Sequence, residues 1–312
     1  MAATLRRHLP VHKIGLSVFK EFHSPNRALA SRSYLKCPHN KLYLLVVAMT
    51  QINVLKKPKL TNPILIEGLP GVGNIGRVTV GYIIKELGAE KFADLYSEHF
   101  FPFVMLHDNY AIHLLKNEFY YVKSKKAGQR DLILLVGDCQ SLSPNGHYEV
   151  SQAILDFVKQ FGVKEIFTVG GLATGAVEDN PKVMGAVSDK KLLKKYSNFG
   201  IDFNAGEKVG YIVGAAGLLL GLGNEKGMGG VCLLGETTGF PIVTDPKAAE
   251  SVLRVMMKML RLKIDLGNLE ERVKEMEHFI KKVEALQKKA LQSIQKDENA
   301  PVSEKEQLRY IG

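Results

Sequence analysis

Four closely spaced glycines, Gly68, Gly71, Gly73 and Gly76, follow the apolar run Ile64–Ile66. They precede apolar residues at helical spacing: Val78, Ile83, Ile84 and Leu87. A strand, a tight turn and a helix start are predicted. Gly71, Gly73 and Gly76 satisfy the spacing G-x-G-x-x-G, by which a dinucleotide fold brings its backbone up to a pyrophosphate at a helix N-terminus. Such a site also needs an acid about 20 residues on to hold the ribose; Asp94 stands 18 residues after Gly76. Pro70 in the turn and Asn74 and Arg77 at the helix start do not belong to that chemistry, so simple turn geometry is the competing reading.

Asp138, Glu178, Asp179 and Glu236 fall at or beyond predicted strand ends, where α/β folds place active sites, and paired carboxylates there would do acid–base work. No recognisable nucleophile accompanies them. Ser141 and Ser143 lack the G-x-S-x-G elbow. Cys139 follows Asp138 at a strand end with nothing nearby in sequence to lower its pKa. His99, His107, His113 and His147 lack metal-ligand spacing, and no metal or cofactor is expected. Structural or surface roles are the expectation for all of these.

The elements that would position these residues alternate. Predicted strands are Ala93–Tyr96, Phe103–Leu106, Ala111–Leu115, Phe119–Lys123, Leu132–Gly137, Glu165–Gly170, Lys208–Val213 and Val231–Leu234. The stretch 110–122 reads as an antiparallel hairpin at the sheet edge. Ser143-Pro144 and Asp245-Pro246 each place a capping side chain before a proline at the first helical position. Helical spacing follows both, through Val150, Ile154, Phe157 and Val158 and through Val252, Leu253, Met256 and Leu260. Gly214–Gly223 reads as a buried, glycine- and alanine-rich helix. Strand–helix alternation predicts a three-layer α/β sandwich around a largely parallel sheet.

Past Gly267 the pattern changes. Asn268 and Glu271 form a capping box. Leu262, Leu266, Leu269, Val273, Met276, Ile280 and Val283 then step 4-3-4-3-4-3 with dense charge on both flanks. That is a heptad seam. Its helix would run roughly 40 Å at 1.5 Å per residue, and Leu269, Val273, Met276, Ile280 and Val283 are assigned to self-association. The competing reading packs this helix back on its own domain. Beyond Asp297 the chain turns polar and closes on Leu308, Tyr310, Ile311 and Gly312. A tyrosine between apolar residues beside a carboxylate suits capture in a partner's pocket.

Composition removes whole classes. The net charge of +10 is concentrated in residues 1–48, where eight Lys/Arg meet one acid, Glu21. The rest of the chain holds only +3, with charges of both signs interleaved, which argues against a nucleic-acid partner. No apolar run approaches the roughly 20 residues of a membrane span. Three dispersed cysteines suit a reducing compartment, and a cytoplasmic location is expected. Residues 1–48 show no sustained periodicity. They are read as an over-extended start ahead of Met49, with a transit peptide or a disordered terminus as the alternatives. The expected organisation is therefore a disordered or spurious extension over 1–48, an α/β domain over 49–264, a long helix over 265–296 and a flexible tail over 297–312.

Three blocks resemble the proteasome assembly chaperone 2 family, and its archaeal members in particular. They are Leu65–Gly76; Gly170-Gly171 with Pro181–Gly185; and Leu234–Gly239 with Asp245–Ala249. The resemblance covers about residues 50–264. It implies a fold like that of nucleoside phosphorylases, no enzymatic activity, homo-oligomers and binding to proteasome α subunits. The expected role is an assembly chaperone or an ATP-independent activator, with the tail residues Leu308, Tyr310, Ile311 and Gly312 docking between α subunits. Family tails place the tyrosine second from the end; here Tyr310 stands third, after Arg309. Two alternatives belong to other classes: a nucleoside- or nucleotide-binding enzyme using Gly71–Gly76, and an oligomeric scaffold.

Overall fold

A computed structural model describes residues 50–106, 110–124, 128–175, 179–204, 210–239 and 244–269, and single positions as far as Lys289. It also describes the backbone of two short strands, β1 (Tyr34–Lys36) and β2 (Leu42–Leu44), which pair antiparallel in a segment where no element was expected.

From Thr50 the chain lays down β3 (Thr50–Val54), β4 (Ile64–Gly68) and α1 (Ile75–Glu86). β5 (Glu90–Ser97), β6 (Val104–Leu106), β7 (Ile112–Leu114), β8 (Asn117–Val122) and β9 (Leu132–Gly137) follow. Then come α2 (Pro144–Lys159), β10 (Glu165–Ala173), β11 (Val183–Val187) and the single turn α3 (Leu193–Tyr196). α4 (Ala215–Glu225), β12 (Gly229–Thr237) and α5 (Pro246–Leu260) complete the series.

Both predicted caps form. The Ser143 side chain accepts from the Gly146 amide at 3.1 Å, and Asp245 accepts from the Ala248 amide at 3.0 Å. Each satisfies an amide that the first helical turn cannot pair, while the following proline needs no partner there.

Eight strands make one sheet in the order β11-β12-β10-β4-β9-β8-β5-β3. Helices α2 and α4 cover one face, over Leu65, Ile133, Leu135 and Ile166. Helices α1 and α5 cover the other, over Ile66, Leu134, Phe167 and Leu233. The three layers are as expected. The sheet is mixed, however: β12, β10, β4 and β9 are parallel, whereas β11, β8, β5 and β3 each join antiparallel. Continuous apolar runs marked only the centre, because only strands buried on both faces read that way.

Three other local expectations change. Residues 110–122 do not form an edge hairpin: Ile112–Leu114 pairs with Val104–Leu106 in a separate two-stranded sheet, and Asn117–Val122 inserts between β5 and β9. Of the expected strand Lys208–Val213, the described residues 210–213 pair with no strand. Their alternating apolar side chains face solvent, with Tyr211 81% and Val213 75% exposed. Conversely Val183–Val187, whose Gly185 weakens a strand signal, pairs with β12. Glycine is required there because a Cβ would lie 2.4 Å from Ile201 Cγ2.

Because β8 is antiparallel to both neighbours, β5 runs the same way as β9, β4, β10 and β12. The turns after these five strands therefore gather at one edge of the sheet. The turns before them gather at the other.

Candidate functional site

The glycine turn after β4 sits at the C-terminal edge and is filled by backbone. A Cβ on Gly68 would lie 2.2 Å from the Gly76 carbonyl oxygen, and one on Gly76 would lie 2.4 Å from that of Val169. A Cβ on Gly171 would meet the Val72 carbonyl oxygen at 2.2 Å. Gly73 adopts φ +62, a left-handed conformation that favours glycine. The Gly73 carbonyl accepts from the Asp245 amide at 3.1 Å, and Pro70's from Gln140 Nε2 at 2.7 Å. Thr237 Oγ1 donates to Asp245 Oδ2 at 2.7 Å. Apart from Val169 and Gln140, these residues come from the three sequence blocks singled out above, which converge on one structural knot. The close approach that a pyrophosphate would make is made here by β10 and α1. Asp94 is on β5, three strands from β4, and is held by Lys91 at 3.2 Å and Lys116 at 3.3 Å.

The other candidate groups are also committed to protein partners. Asp138 accepts from His113 Nε2 at 2.6 Å, from the Lys116 amide at 3.2 Å and from Arg77 at 3.4 Å. Arg77 also donates to the Gly137 carbonyl. Glu236 is buried and accepts from the Lys182 amide at 3.3 Å. Asp179 makes an exposed pair with Lys247. Glu178 and His107 lie outside the described residues. Burial pushes the Cys139 thiol up to about 12, so it stays protonated and unreactive. Burial also lowers the pKa of His147. Among the described residues no His, Cys, Asp and Glu cluster could hold a metal ion, and no described helix is long and apolar enough to cross a membrane.

Spacing gave no hint of one pair. His99 Nε2 lies 2.9 Å from Glu149 Oε2. The carboxylate's other oxygen accepts from the amide and hydroxyl of Thr50 at 3.0 and 2.8 Å. Ser141, from the loop beside it, donates its hydroxyl to the Ser143 carbonyl at 3.2 Å. The His–Glu pair therefore has no hydrogen-bonded nucleophile; it clamps β3 to α2.

Glu67 is different. It sits on β4 level with Thr168 and Leu135, only 1% exposed. One carboxyl oxygen accepts from the Leu69 amide at 2.8 Å, and the other has no hydrogen-bond partner. Burial pushes its pKa up to about 8.

Among the described residues, the C-terminal edge also exposes a group of large apolar side chains. On the β6–β7 hairpin Met105 and His113 point inward, while Val104, Leu106, Ile112 and Leu114 share the outer face, 42 to 72% exposed. Tyr110 beside them is 89% exposed, and Tyr211, Val213 and Leu142 extend the apolar rim on neighbouring turns. Side chains of this kind exposed together mark an interaction surface rather than a reaction centre. The rim was missed in sequence because Val104-Met105-Leu106 is apolar throughout and Ile112-His113-Leu114 alternates like any half-buried strand; nothing local shows that the outer face lacks a cover.

Of the seam residues, Leu269 is 2% exposed and packed in the chain's own core with Leu262 and Leu266, so it is not free to face a second copy. Val273, Met276, Ile280 and Val283 lie outside the described residues, as do Leu308, Tyr310, Ile311 and Gly312. Two positions near that seam touch the body: Lys282 Nζ donates to the Leu106 carbonyl at 2.8 Å, and Leu286 packs against the α2/α4 core.

Comparison with known proteins places this geometry. The model of the PAC2 family matches residues 65–284. The Methanocaldococcus jannaschii protein MJ1210 is 38% identical over 253 residues, 81% of this chain and 93% of its own length. The crystal structure of Pyrococcus furiosus PbaB, described as an archaeal proteasome activator, matches with 43% identity and a TM-score of 0.69, covering 75% of this chain and 98% of its own. That of Pyrococcus furiosus PbaA, described as an archaeal homolog of proteasome-assembly chaperone, matches with 25% identity and a TM-score of 0.63, covering 78% and 99%.

Proposed function

The chain belongs to the PAC2 family, and from that premise we propose that it is a proteasome assembly chaperone or ATP-independent activator rather than an enzyme. Its partners are proteasome α subunits, free or in the α ring, met in the cytoplasm by a homo-oligomer of the chain. The relatives described as a proteasome activator and a proteasome-assembly chaperone homolog support the role. The carrying observation within the chain is the apolar outer face of the β6–β7 hairpin, at an edge where His99, His113, Asp138 and Glu236 are hydrogen-bonded within the chain and Cys139 is buried.

In this reading residues 49–264 form the chaperone domain, with its core continuing through Leu269. The segment 265–296 pairs copies through Val273, Met276, Ile280 and Val283. The tail 297–312 adds Leu308, Tyr310, Ile311 and Gly312 as a second, separate contact. Several weak tails carried by one oligomer gain avidity without any new contact. The nucleotide-binding alternative draws no support from a glycine turn already packed by backbone.

Native mass spectrometry of the chain with core particle, and separately with free α subunits, tests this. A complex with either is expected, and the species chosen separates activator from assembly factor. Absence of both across a range of salt overturns the reading. Tyr310→Ala should weaken the core-particle complex while leaving the oligomer intact.

A further inference from the structure

At the opposite edge of the sheet, where the parallel strands begin, lies a cavity of about 470 Å³. Its floor is apolar, from Ile64, Leu132, Leu260 and Leu262, and its rim carries Lys123, Arg261 and Lys263. Arg130 also lines it but is tied to Glu165 and to the Asn62 carbonyl. No ion pair among the described residues holds the three rim cations, and the acid lining the cavity is Glu86. Helices α1 and α5 both end here, at Glu86 and Leu260. Helix C-termini carry the negative end of the dipole, although the Ile83, Ile84 and Lys85 carbonyls already accept from Leu87, Ala89 and Gly88, and Met257's from Leu262. A compact anion such as phosphate would meet those dipole ends unfavourably. An extended peptide spreads its charge along the rim, where its acidic side chains meet the cations, and an apolar side chain enters the floor.

We propose that this cavity docks the chain's own acidic tail segment, residues 297–308, with Val302 or Leu308 as the apolar anchor. The segment carries Asp297, Glu298, Glu304 and Glu306 against Lys305 alone. The other terminal segment, 1–48, holds +7 and would be repelled. Reach is sufficient: 16 residues separate Leu286, fixed against the body, from Val302, and ten of them helical to residue 296 at 1.5 Å each with six extended span about 35 Å. The strands it must pass have at most nine residues, or about 30 Å. Docking would hold the tail on the body until a competing partner takes it. The proposal stands on cavity and charge and does not require that partner to be a proteasome.

The test uses the full chain without core particle, with photo-reactive benzoylphenylalanine placed at Leu308 and crosslinks mapped by mass spectrometry. Crosslinks are expected within 122–132 or 259–263. Their yield should fall about tenfold in Lys123→Glu/Lys263→Glu and also at 1 M salt, where charges are screened beyond about 3 Å. Adding Glu304→Lys/Glu306→Lys to the reversed rim should restore it. Both rim lysines are exposed, so the melting temperature should not move and a folding defect would be seen separately. Crosslinks elsewhere, no crosslink, or a yield indifferent to charge reversal would each overturn the proposal. Because no core particle is present, any of these results leaves the proteasome reading to its own experiment.

Discussion

The two edges of the central sheet are built from the same strands and differ in almost everything they present. At the C-terminal edge, where α/β folds place catalysis, Asp138, Glu236 and His99 are tied down and a group of apolar side chains faces solvent: Val104, Leu106, Ile112, Leu114, Tyr211 and Val213. At the N-terminal edge a cavity opens between two helix ends, with a cationic rim. Strand polarity alone therefore does not locate chemistry in this protein. The turn that looks most like a ligand loop is a packing joint, and the cavity is at the end where such folds usually have none.

The largest effect should come from breaking that joint. Gly76→Ala puts a Cβ 2.4 Å from the Val169 carbonyl oxygen, with no flexible side chain to yield. Overpacking of this kind should destabilise by about 3 kcal/mol, read by denaturant unfolding. Gly71→Ala meets nothing closer than 3.9 Å and should be nearly silent. If Gly76→Ala were tolerated and Gly71→Ala were not, the joint reading would fail.

Glu67 comes next. Its folded pKa, about 8, lies above the usual 4.5, so the neutral form is favoured on folding. The associated stability is present in full below pH 4.5 and is lost as pH rises through 8. At about 1.4 kcal/mol per pKa unit, the loss is on the order of 5 kcal/mol. Glu67→Gln removes the slope. Its melting temperature should exceed the parent's at pH 9 and approach it at pH 5, and parallel profiles for the two proteins would refute the account.

Third, Ile112→Glu/Leu114→Glu should cut affinity for core particle or α subunits at least tenfold without a change in melting temperature, since both side chains are already exposed. The smallest effect should come from the other edge. Lys123→Glu/Lys263→Glu should leave that affinity within about threefold while cutting tail crosslinking about tenfold. Equal losses of partner binding from both double variants would erase the distinction between the edges.

Much of the fold was legible. Ser143-Pro144 and Asp245-Pro246 fixed two helix starts because capping and proline geometry are local. Leu132–Gly137 announced a central strand because burial on both faces leaves no polar positions. The antiparallel flanks were not legible, because a strand such as Asn117–Val122 reads the same whether it pairs with its chain neighbour or inserts between β5 and β9. The site was less legible still. Asp94, Asp138 and Glu236 were visible as carboxylates, but most of their partners lie far along the chain: Lys116 is 22 residues from both Asp94 and Asp138, Arg77 is 61 from Asp138, and the Lys182 amide is 54 from Glu236. The His99–Glu149 pair spans 50 residues with no motif.

The sequence by itself determined the three-layer class, the two capped helices and, through its three glycine-bearing blocks, the family. These depend on short-range periodicity, on capping chemistry and on positions where only glycine fits. Tertiary structure alone decided what those glycines do, which apolar side chains stay uncovered and where the cationic cavity forms. Each of these depends on which backbone or side chain from elsewhere in the chain arrives within a few ångströms, and local spacing carries no record of that.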